Sequence, residues 1–481
     1  MQLVRLPLLA AVVVANVAAL VIEVLEPRLL VGYLGDPWVL AAMSITLVLL
    51  CMSAGAFYAG RTDQPEVLLT VALVVAASWI AFTPALSSAL APLIDGSFSR
   101  GGWVLLAMLA VPSAALGVTS TTATRLMIAE GAPIGPTIGL VSALSSIAGV
   151  AGALLALLAP LTLPLSMILR VSAVAVFATA VLLLLSRQPH WKLSWPIIVL
   201  AAVAQVVGFA VSQSEACTVP SRNHCINVVR SADGTTTLYM DGVMHSATGP
   251  GGLADPVFDY VRWIEELTDS AWPAGSSLTG VHVGGGAGSL AAYFATRHPS
   301  GSQTVLEIDP DVIGIATDVF ALDTYPGVEI REVDGRIGVS ELPDSSTDVV
   351  ILDAFRGLQV ATQLTTVEYA AEVARIARPG ALIVFNIIET PEHRLSSAIA
   401  RTWSAFFPQS QLWVPSGDGS TGLQNAVLIL GTADAVMPDT DSMIEGAELV
   451  PSGEWSSWVS QSPILRDDFA PASALSGALR L

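Results

Sequence analysis

Residues 279–289 read Thr279-Gly280-Val281-His282-Val283-Gly284-Gly285-Gly286-Ala287-Gly288-Ser289, and this stretch decides the fold of the C-terminal half of the chain. A short apolar run of strand length ends in a glycine cluster, and a helical pattern then continues to about Arg297. Glycine lacks a Cβ, so the backbone turns tightly there and a ligand can approach it closely. A strand, a glycine turn and a helix in that order open a nucleotide-binding α/β unit, although a glycine-rich loop alone is a weak signal. No Lys-Ser/Thr pair follows, which excludes a phosphate-binding P-loop.

The flanking sequence extends this pattern. A second strand, 303–308, ends in Leu306-Glu307-Ile308-Asp309, and a helix follows to about Ala321. Glu307 stands about twenty positions beyond the glycines, where an acidic side chain can bond ribose hydroxyls. A third strand ends at Val333-Asp334-Gly335 and a fourth, 348–352, at Asp353. A helix near 366–377 stops before Pro379-Gly380, and a strand follows at 381–386. This alternation predicts a parallel sheet covered by helices on both faces. Ligands in such sheets sit at the carboxyl ends of the strands. Gly284, Gly286, Gly288, Glu307, Asp334 and Asp353 all fall there. The same residues can also be read as a structural turn (the glycines) and as helix caps or turn residues (the acids). Upstream, 225–230 and 237–241 flank Ser-Ala-Asp-Gly and predict a β-hairpin. A helix is expected near 254–268.

The N-terminal half is chemically different. Residues 1–212 hold eight Lys+Arg and seven Asp+Glu, whereas 213–481 hold thirteen and thirty-three, a net −20. Apolar stretches recur at 6–25, 38–60, 66–94, 102–124, 137–160, 164–186 and 195–212, and most reach the roughly 20 residues that span hydrocarbon. In lipid such runs must be helical, because the backbone has no water to bond. We therefore expect about seven membrane helices. The first run is read as a retained helix rather than a cleaved signal, since more spans follow. Gly149, Gly152, Ala153 and Ala156 suit close helix packing, and Glu23, Glu26 and Arg28 are expected at the interface. The Lys/Arg bias of the short loops places Arg5, Arg61, Arg125, Arg187 and Lys192 on one side, expected to be cytoplasmic. An odd number of spans then puts the soluble domain outside the cytoplasm, and one miscounted helix reverses this. The acidity of that domain disfavours nucleic acid and favours organic cations, or simply serves solubility.

Three cysteines are present, with no CxxC and no metal-ligand spacing. Cys51 lies in an apolar run. Cys217 and Cys225 flank a short polar loop and could close a disulfide in an oxidising compartment or remain reduced.

In the ordered set Leu238-Tyr239-Met240-Asp241-Gly242, GGGAGS, LEID, Asp334-Gly335 and Asp353, the soluble half resembles the spermidine synthase (polyamine aminopropyltransferase) family. Together with GAFYAGR at 55–61 and the segment Ala115–Arg125, the chain is similar to its membrane-fused, transporter-like branch. The resemblance implies a multi-pass helical domain (1–212), a linker and β-hairpin (213–250), a Rossmann-like S-adenosylmethionine-dependent transferase fold (251–435) and an acidic extension (436–481). It implies aminopropyl transfer from decarboxylated S-adenosylmethionine, or a related adenosyl nucleoside, to an amine. Asp353 would be the base, Gly284, Gly286, Gly288, Glu307 and Asp334 would hold the nucleoside, and no metal is involved. His245, Asp255 and Arg356 become substrate-side candidates.

The sequence departs from the family pattern at Ala287, Arg356, His245 and the stretch Phe258-Asp259-Tyr260. Arg356 stands where the family has an acid. At about 4 Å and an effective dielectric of about 20, two like charges cost on the order of 4 kcal/mol, so simple putrescine is disfavoured as acceptor. Arg favours a carboxylate or phosphate. The competing reading is an extracytoplasmic module that binds or modifies an anionic envelope glycan or lipid without S-adenosylmethionine, and a third is a transporter with a regulatory domain. Membrane lipid is an expected partner, nucleic acid is not, and a homodimer is left open. The acidic extension carries no motif, and Trp455 and Trp458 are expected to be packing or interfacial rather than catalytic.

Overall fold

The computed structural model describes residues 2–30, 37–90, 93, 98–161, 163, 165–187, 196, 199, 202–208, 210, 219–221, 224–417, 422–439 and 443–477. The chain forms two compact units, Met1–Ala216 and Cys217–Arg480.

The first unit contains helices α1 (Gln2–Leu25), α2 (Pro37–Arg61), α3 (Pro65–Leu90), α4 (Phe98–Ala129), α5 (Ile134–Leu158) and α6 (Leu165–Arg187). Six helices among the described residues are long and apolar enough to cross a membrane. Of the seventh expected run, only 196, 199, 202–208 and 210 are described, all helical, and the rest lies outside the described residues. Leu50, Phe57, Ile147 and Leu157 are exposed on the helices, as a hydrocarbon solvent allows. Packing between helices relies on small residues. A Cβ on Gly117 of α4 would lie 2.3 Å from the Met52 carbonyl oxygen of α2, and one on Gly152 of α5 would lie 2.5 Å from that of Val17 of α1. Backbones approach this closely only where no side chain intervenes.

Charged groups in this unit work locally. Arg125 donates to the Ala59 carbonyl and, at 3.0 Å, to that of Thr62, so it satisfies carbonyls at the C-terminal end of α2. Arg61 stacks over the Phe57 ring at 3.4 Å, and Arg5 donates to the Glu130 carbonyl at 3.4 Å. Glu26, expected at the interface, is instead fully buried, with Thr83 Oγ1 donating to its Oε1 at 3.1 Å.

The second unit begins with a four-stranded antiparallel sheet in the order β1 (Val219–Pro220), β2 (Cys225–Arg230), β3 (Thr236–Met240), β4 (Val243–Thr248). The main sheet contains β5 (Thr279–Val283), β6 (Ser302–Glu307), β7 (Val328–Glu332), β8 (Thr347–Leu352), β11 (Ala377–Glu389), β12 (Gln409–Pro415), β13 (Gln424–Gly431) and β14 (Ala447–Leu449). Its order is β14-β12-β13-β11-β8-β5-β6-β7. Strands β5, β6, β7, β8 and β11 run parallel, while β13 is inserted antiparallel between β11 and β12. This is a Rossmann-like arrangement, with β13 as the antiparallel insertion. A small hairpin, β9 (Phe355–Arg356) with β10 (Gln359–Val360), follows β8.

The central strands are covered on both faces, so β8 reads as a nearly continuous apolar run. One face packs against α10 (Gly335–Glu341), α11 (Val367–Ile376), α12 (Arg394–Trp403) and α13 (Ser452–Gln461), with Tyr369 and Trp403 at the centre. The other packs against α7 (Asp259–Ala271) and α8 (Ser289–Arg297) through Ile264 and Phe294. A further helix, α9 (Pro310–Asp318), joins β6 to β7. Edge strand β7 carries Glu329 and Arg331, paired with each other at 2.8 Å, and exposed Glu332.

Two boundaries differ from expectation. Helix α7 starts at Asp259 rather than 254, because Gly252–Ala254 is a 3-10 turn and Pro256 bridges to Thr248 as an extended residue. Strand β11 begins at Ala377 and contains Pro379-Gly380, and its pairing with β8 breaks register between Ala377 and Leu382. Proline cannot donate to a ladder and is tolerated at such an irregularity.

Gly117→Val is expected to destabilise the helical unit by about 1–3 kcal/mol. The obstructing atom is a main-chain oxygen, so only separation of α2 and α4 relieves the clash. A thermal melt of the full chain in detergent checks this, and an unchanged midpoint would contradict the packing described.

Candidate functional site

The site grows from the carboxyl edge of the parallel strands. After β5 the chain turns through Gly284 and Gly286, both in the left-handed region (φ 94° and 49°). A Cβ on Gly284 would lie 2.5 Å from the Asp353 carbonyl oxygen, so no other residue fits. The backbone N–H of Asp353 donates to the Val283 carbonyl at 3.0 Å, which ties the end of β8 to the glycine turn.

Glu307 closes the adjacent side. Its Oε2 accepts the Gly285 N–H at 2.8 Å and its Oε1 the Asp309 N–H at 2.9 Å. Burial pushes its pKa up, and the two backbone donors oppose that shift. Ser246 of β4 accepts the Ala287 N–H at 3.1 Å, so the small sheet contributes a wall to the same turn. Its neighbour His245 has a buried Nε2 with no hydrogen-bond partner among the described residues. Burial, then the nearby His224, lowers the His245 pKa to about 4, so the imidazole is neutral. His224 Nδ1 lies 2.8 Å from Asp241 Oδ2.

Asp334 follows β7 and caps α10, its Oδ1 accepting the N–H groups of Arg336 (2.8 Å) and Ile337 (3.2 Å). The cap reading and a ligand role coexist, because Oδ2 accepts no hydrogen bond from the described residues. Gly288 is also left-handed and precedes α8, where its missing Cβ leaves room for Leu322.

Asp353 is held from two sides. Tyr260 Oη donates to its Oδ2 at 3.0 Å, and Asn386 Nδ2 donates to its Oδ1 at 2.8 Å. Asn425 Nδ2 in turn donates to Asn386 Oδ1 at 2.8 Å and fixes the amide orientation. Burial raises the Asp353 pKa above the ordinary carboxylate range, while the two donors favour the ionised form. The result is a positioned carboxylate that binds a proton more readily than a surface aspartate.

The structure thus gathers Gly284, Gly286, Gly288, Glu307, Asp334, Asp353 and His245 along one edge. It does not bring Asp255 there. That residue is exposed and closes its own turn, its carbonyl accepting the Gly249 N–H at 2.8 Å. Arg356 lies on β9, its backbone paired with Gln359, and its side chain is outside the description. Cys225 is disulfide-bonded, and Cys217 lies outside the described residues. Tyr260, Asn386, Asn425, Ser246 and His224 were not assigned roles from sequence. Asn386 was the findable one, a single amide inside the apolar run of β11.

No family model matches the chain. A polyamine aminopropyltransferase of Vibrio vulnificus is 25% identical over 205 residues, 40% of this chain and 68% of that protein. One of Chromobacterium violaceum is 32% identical over 107 residues, 22% of this chain and 41% of its own length. The chain therefore spans about two thirds of the first relative and under half of the second. Among solved structures, a probable spermidine synthase from Corynebacterium glutamicum has a TM-score of 0.47 at 23% identity, covering 52% of this chain and 95% of that one. The soluble unit is similar to polyamine aminopropyltransferases.

Removing either donor to Asp353 should raise its pKa further. Because that pKa already lies above the unfolded value, the folded state holds the proton more tightly than the unfolded chain. The contribution to stability is then full below the unfolded pKa and is lost as pH rises through the folded one. In Asn386→Leu that loss should move to higher pH, and an unpaired Asn425 should cost about 1–3 kcal/mol. Denaturant melts across pH, with carboxyl titration by NMR, check both; an unmoved Asp353 titration would contradict the contact.

Proposed function

We propose that the soluble unit, similar in sequence to polyamine aminopropyltransferases, transfers an aminopropyl group from decarboxylated S-adenosylmethionine to an amine. The observation that carries this is Asp353, fixed by Tyr260 and Asn386 beside the glycine turn that Glu307 closes. The amine nitrogen attacks the methylene carbon next to the sulfonium, the C–S bond breaks toward sulfur, and methylthioadenosine leaves as a neutral thioether. The amine must give up a proton for its lone pair to react, and Asp353 is the acceptor. A base with a raised pKa suits that task better than an ordinary aspartate, provided it is ionised when the amine binds.

The remaining residues position. Glu307 would take the ribose hydroxyls through lone pairs not used by Gly285 and Asp309, and Asp334 Oδ2 would face the base. Holding both substrates in line supplies much of the rate. The acidic surface raises the local concentration of amine cations. His245, neutral, with an unpartnered Nε2, is the substrate-side candidate best supported by its surroundings. The acceptor on this reading is an amine other than simple putrescine, because Arg356 replaces an acid of the family pattern.

A second reading is favoured by one observation, the disulfide at Cys225. Disulfides persist in oxidising compartments, and the loop charges also favour an extracytoplasmic placement. S-adenosylmethionine is made inside cells, so a domain outside would bind or modify an envelope molecule instead.

Two experiments separate the readings. Calorimetry with decarboxylated S-adenosylmethionine and with methylthioadenosine should show binding to the full chain; no heat from either removes the transferase reading. Asp353→Asn should then lower transfer by about 10²–10⁴-fold while nucleoside affinity stays near wild type. Equal loss of both would make Asp353 structural. In whole cells, an impermeant thiol reagent should label Cys225 only after reduction if the domain lies outside; no labelling after reduction would place it inside.

A further inference from the structure

The C-terminal extension, motif-free in sequence, runs along the edge where the site lies. Leu465, Ala472 and Leu475 are buried in the core beneath α11 and α12. Between and beyond them the segment meets the ends of three parallel strands. After β7, Arg336 donates to both Asp467 oxygens at 2.8 and 2.7 Å. After β8, Ser473 Oγ donates to Gln359 of the β9–β10 hairpin. After β11, the Thr390 N–H donates to the Ser476 carbonyl at 2.9 Å.

Asp467 is the hub of these contacts. It also accepts from Thr366 Oγ1 at 2.8 Å, and its own N–H donates to Glu368 Oε2 at 3.1 Å. Thr366 caps α11 and Asp334 caps α10, so one carboxylate ties together the first turns of both helices. Arg336 immediately follows the Asp334-Gly335 pair and also donates to the Gln363 carbonyl at 3.2 Å. A planar guanidinium bound at both nitrogens by a carboxylate has a fixed orientation, unlike a single-point contact.

We propose that segment 463–477 is a wall of the nucleoside site and that Asp467 is a positioning residue for the Asp334 side, acting through Arg336. The nucleoside part of this rests on the function proposed above. The loop-holding part does not. Asp467 touches no substrate. It sets where the α10 cap sits, and Ser473 of the same segment sets where the hairpin carrying Arg356 sits. An acidic extension on an acidic domain gains little from bulk electrostatics, so its attachment must come from such specific bonds and from the three buried apolar anchors.

The test uses the full chain in detergent. Methylthioadenosine is titrated calorimetrically into wild type, Asp467→Ala, Arg336→Ala and the double variant, and amide exchange is followed by mass spectrometry. Either single variant should weaken binding about tenfold, the worth of roughly 1.4 kcal/mol, and the double should be no worse than one single. Exchange should quicken at 335–341 and 366–370 and stay unchanged in β5, β6 and β8. Asp467→Glu, which keeps the carboxylate, should recover part of the affinity. Unchanged affinity with unchanged exchange would overturn the proposal. So would faster exchange spread over the whole domain, since that marks general destabilisation. If wild type itself binds no methylthioadenosine, the proposed function fails and with it the nucleoside role, while local exchange at the two helix starts still upholds the loop-holding role.

Discussion

Everything in the soluble unit depends on the close approach of two strand ends, where the Gly284 backbone lies against the Asp353 carbonyl. A parallel sheet sets neighbouring strands a fixed distance apart. A left-handed glycine lets one of them turn away without lifting from the other. Glu307 then fills the space beyond by bonding two backbone N–H groups, one on the glycine turn and one at Asp309, the N-cap of α9. The acidic side chains are therefore not a loose cluster of negative charge. Each is fixed by different donors at the carboxyl end of its strand.

Much of this was legible in the sequence because the functional residues punctuate secondary structure. Apolar strands ending in Gly284, Glu307, Asp334 and Asp353 announce both the fold and the edge of the sheet that matters. What was not legible depends on long-range geometry. Tyr260 reaches Asp353 from ninety-three positions away, and Asn386 from thirty-three. Neither contact leaves a periodic trace, although an amide within an apolar strand is a polar group that must find a partner. Asp255, a substrate-side candidate from sequence, is exposed and closes the turn at Gly249. The extension was unreadable for a related reason. Besides three apolar anchors spaced without a helix or strand repeat, it attaches by hydroxyls, carbonyls and one bidentate ion pair.

The two units solve the same problem in different solvents. In the helical unit, Gly117 and Gly152 let backbones touch where lipid offers no hydrophobic drive for association, and Arg125 satisfies carbonyls that water would otherwise serve. In the soluble unit, large side chains such as Trp403 and Phe385 fill the space between sheet and helices. The buried Glu26 shows the cost of misjudging solvent from sequence alone. A carboxylate near the end of an apolar run reads as interfacial, but here neighbouring helices, with Thr83 as donor, enclose it.

Edge strand β7 has a consequence of its own. The sheet of the second unit ends on β7 at one border and on β14 at the other. An edge strand is a template for sheet extension from molecule to molecule. Pairing along β7 would strip water from Glu329, Arg331 and Glu332, three charged side chains within a five-residue strand. At the opposite margin β14 offers only three residues. Both borders of the sheet are thereby poor templates for a further strand.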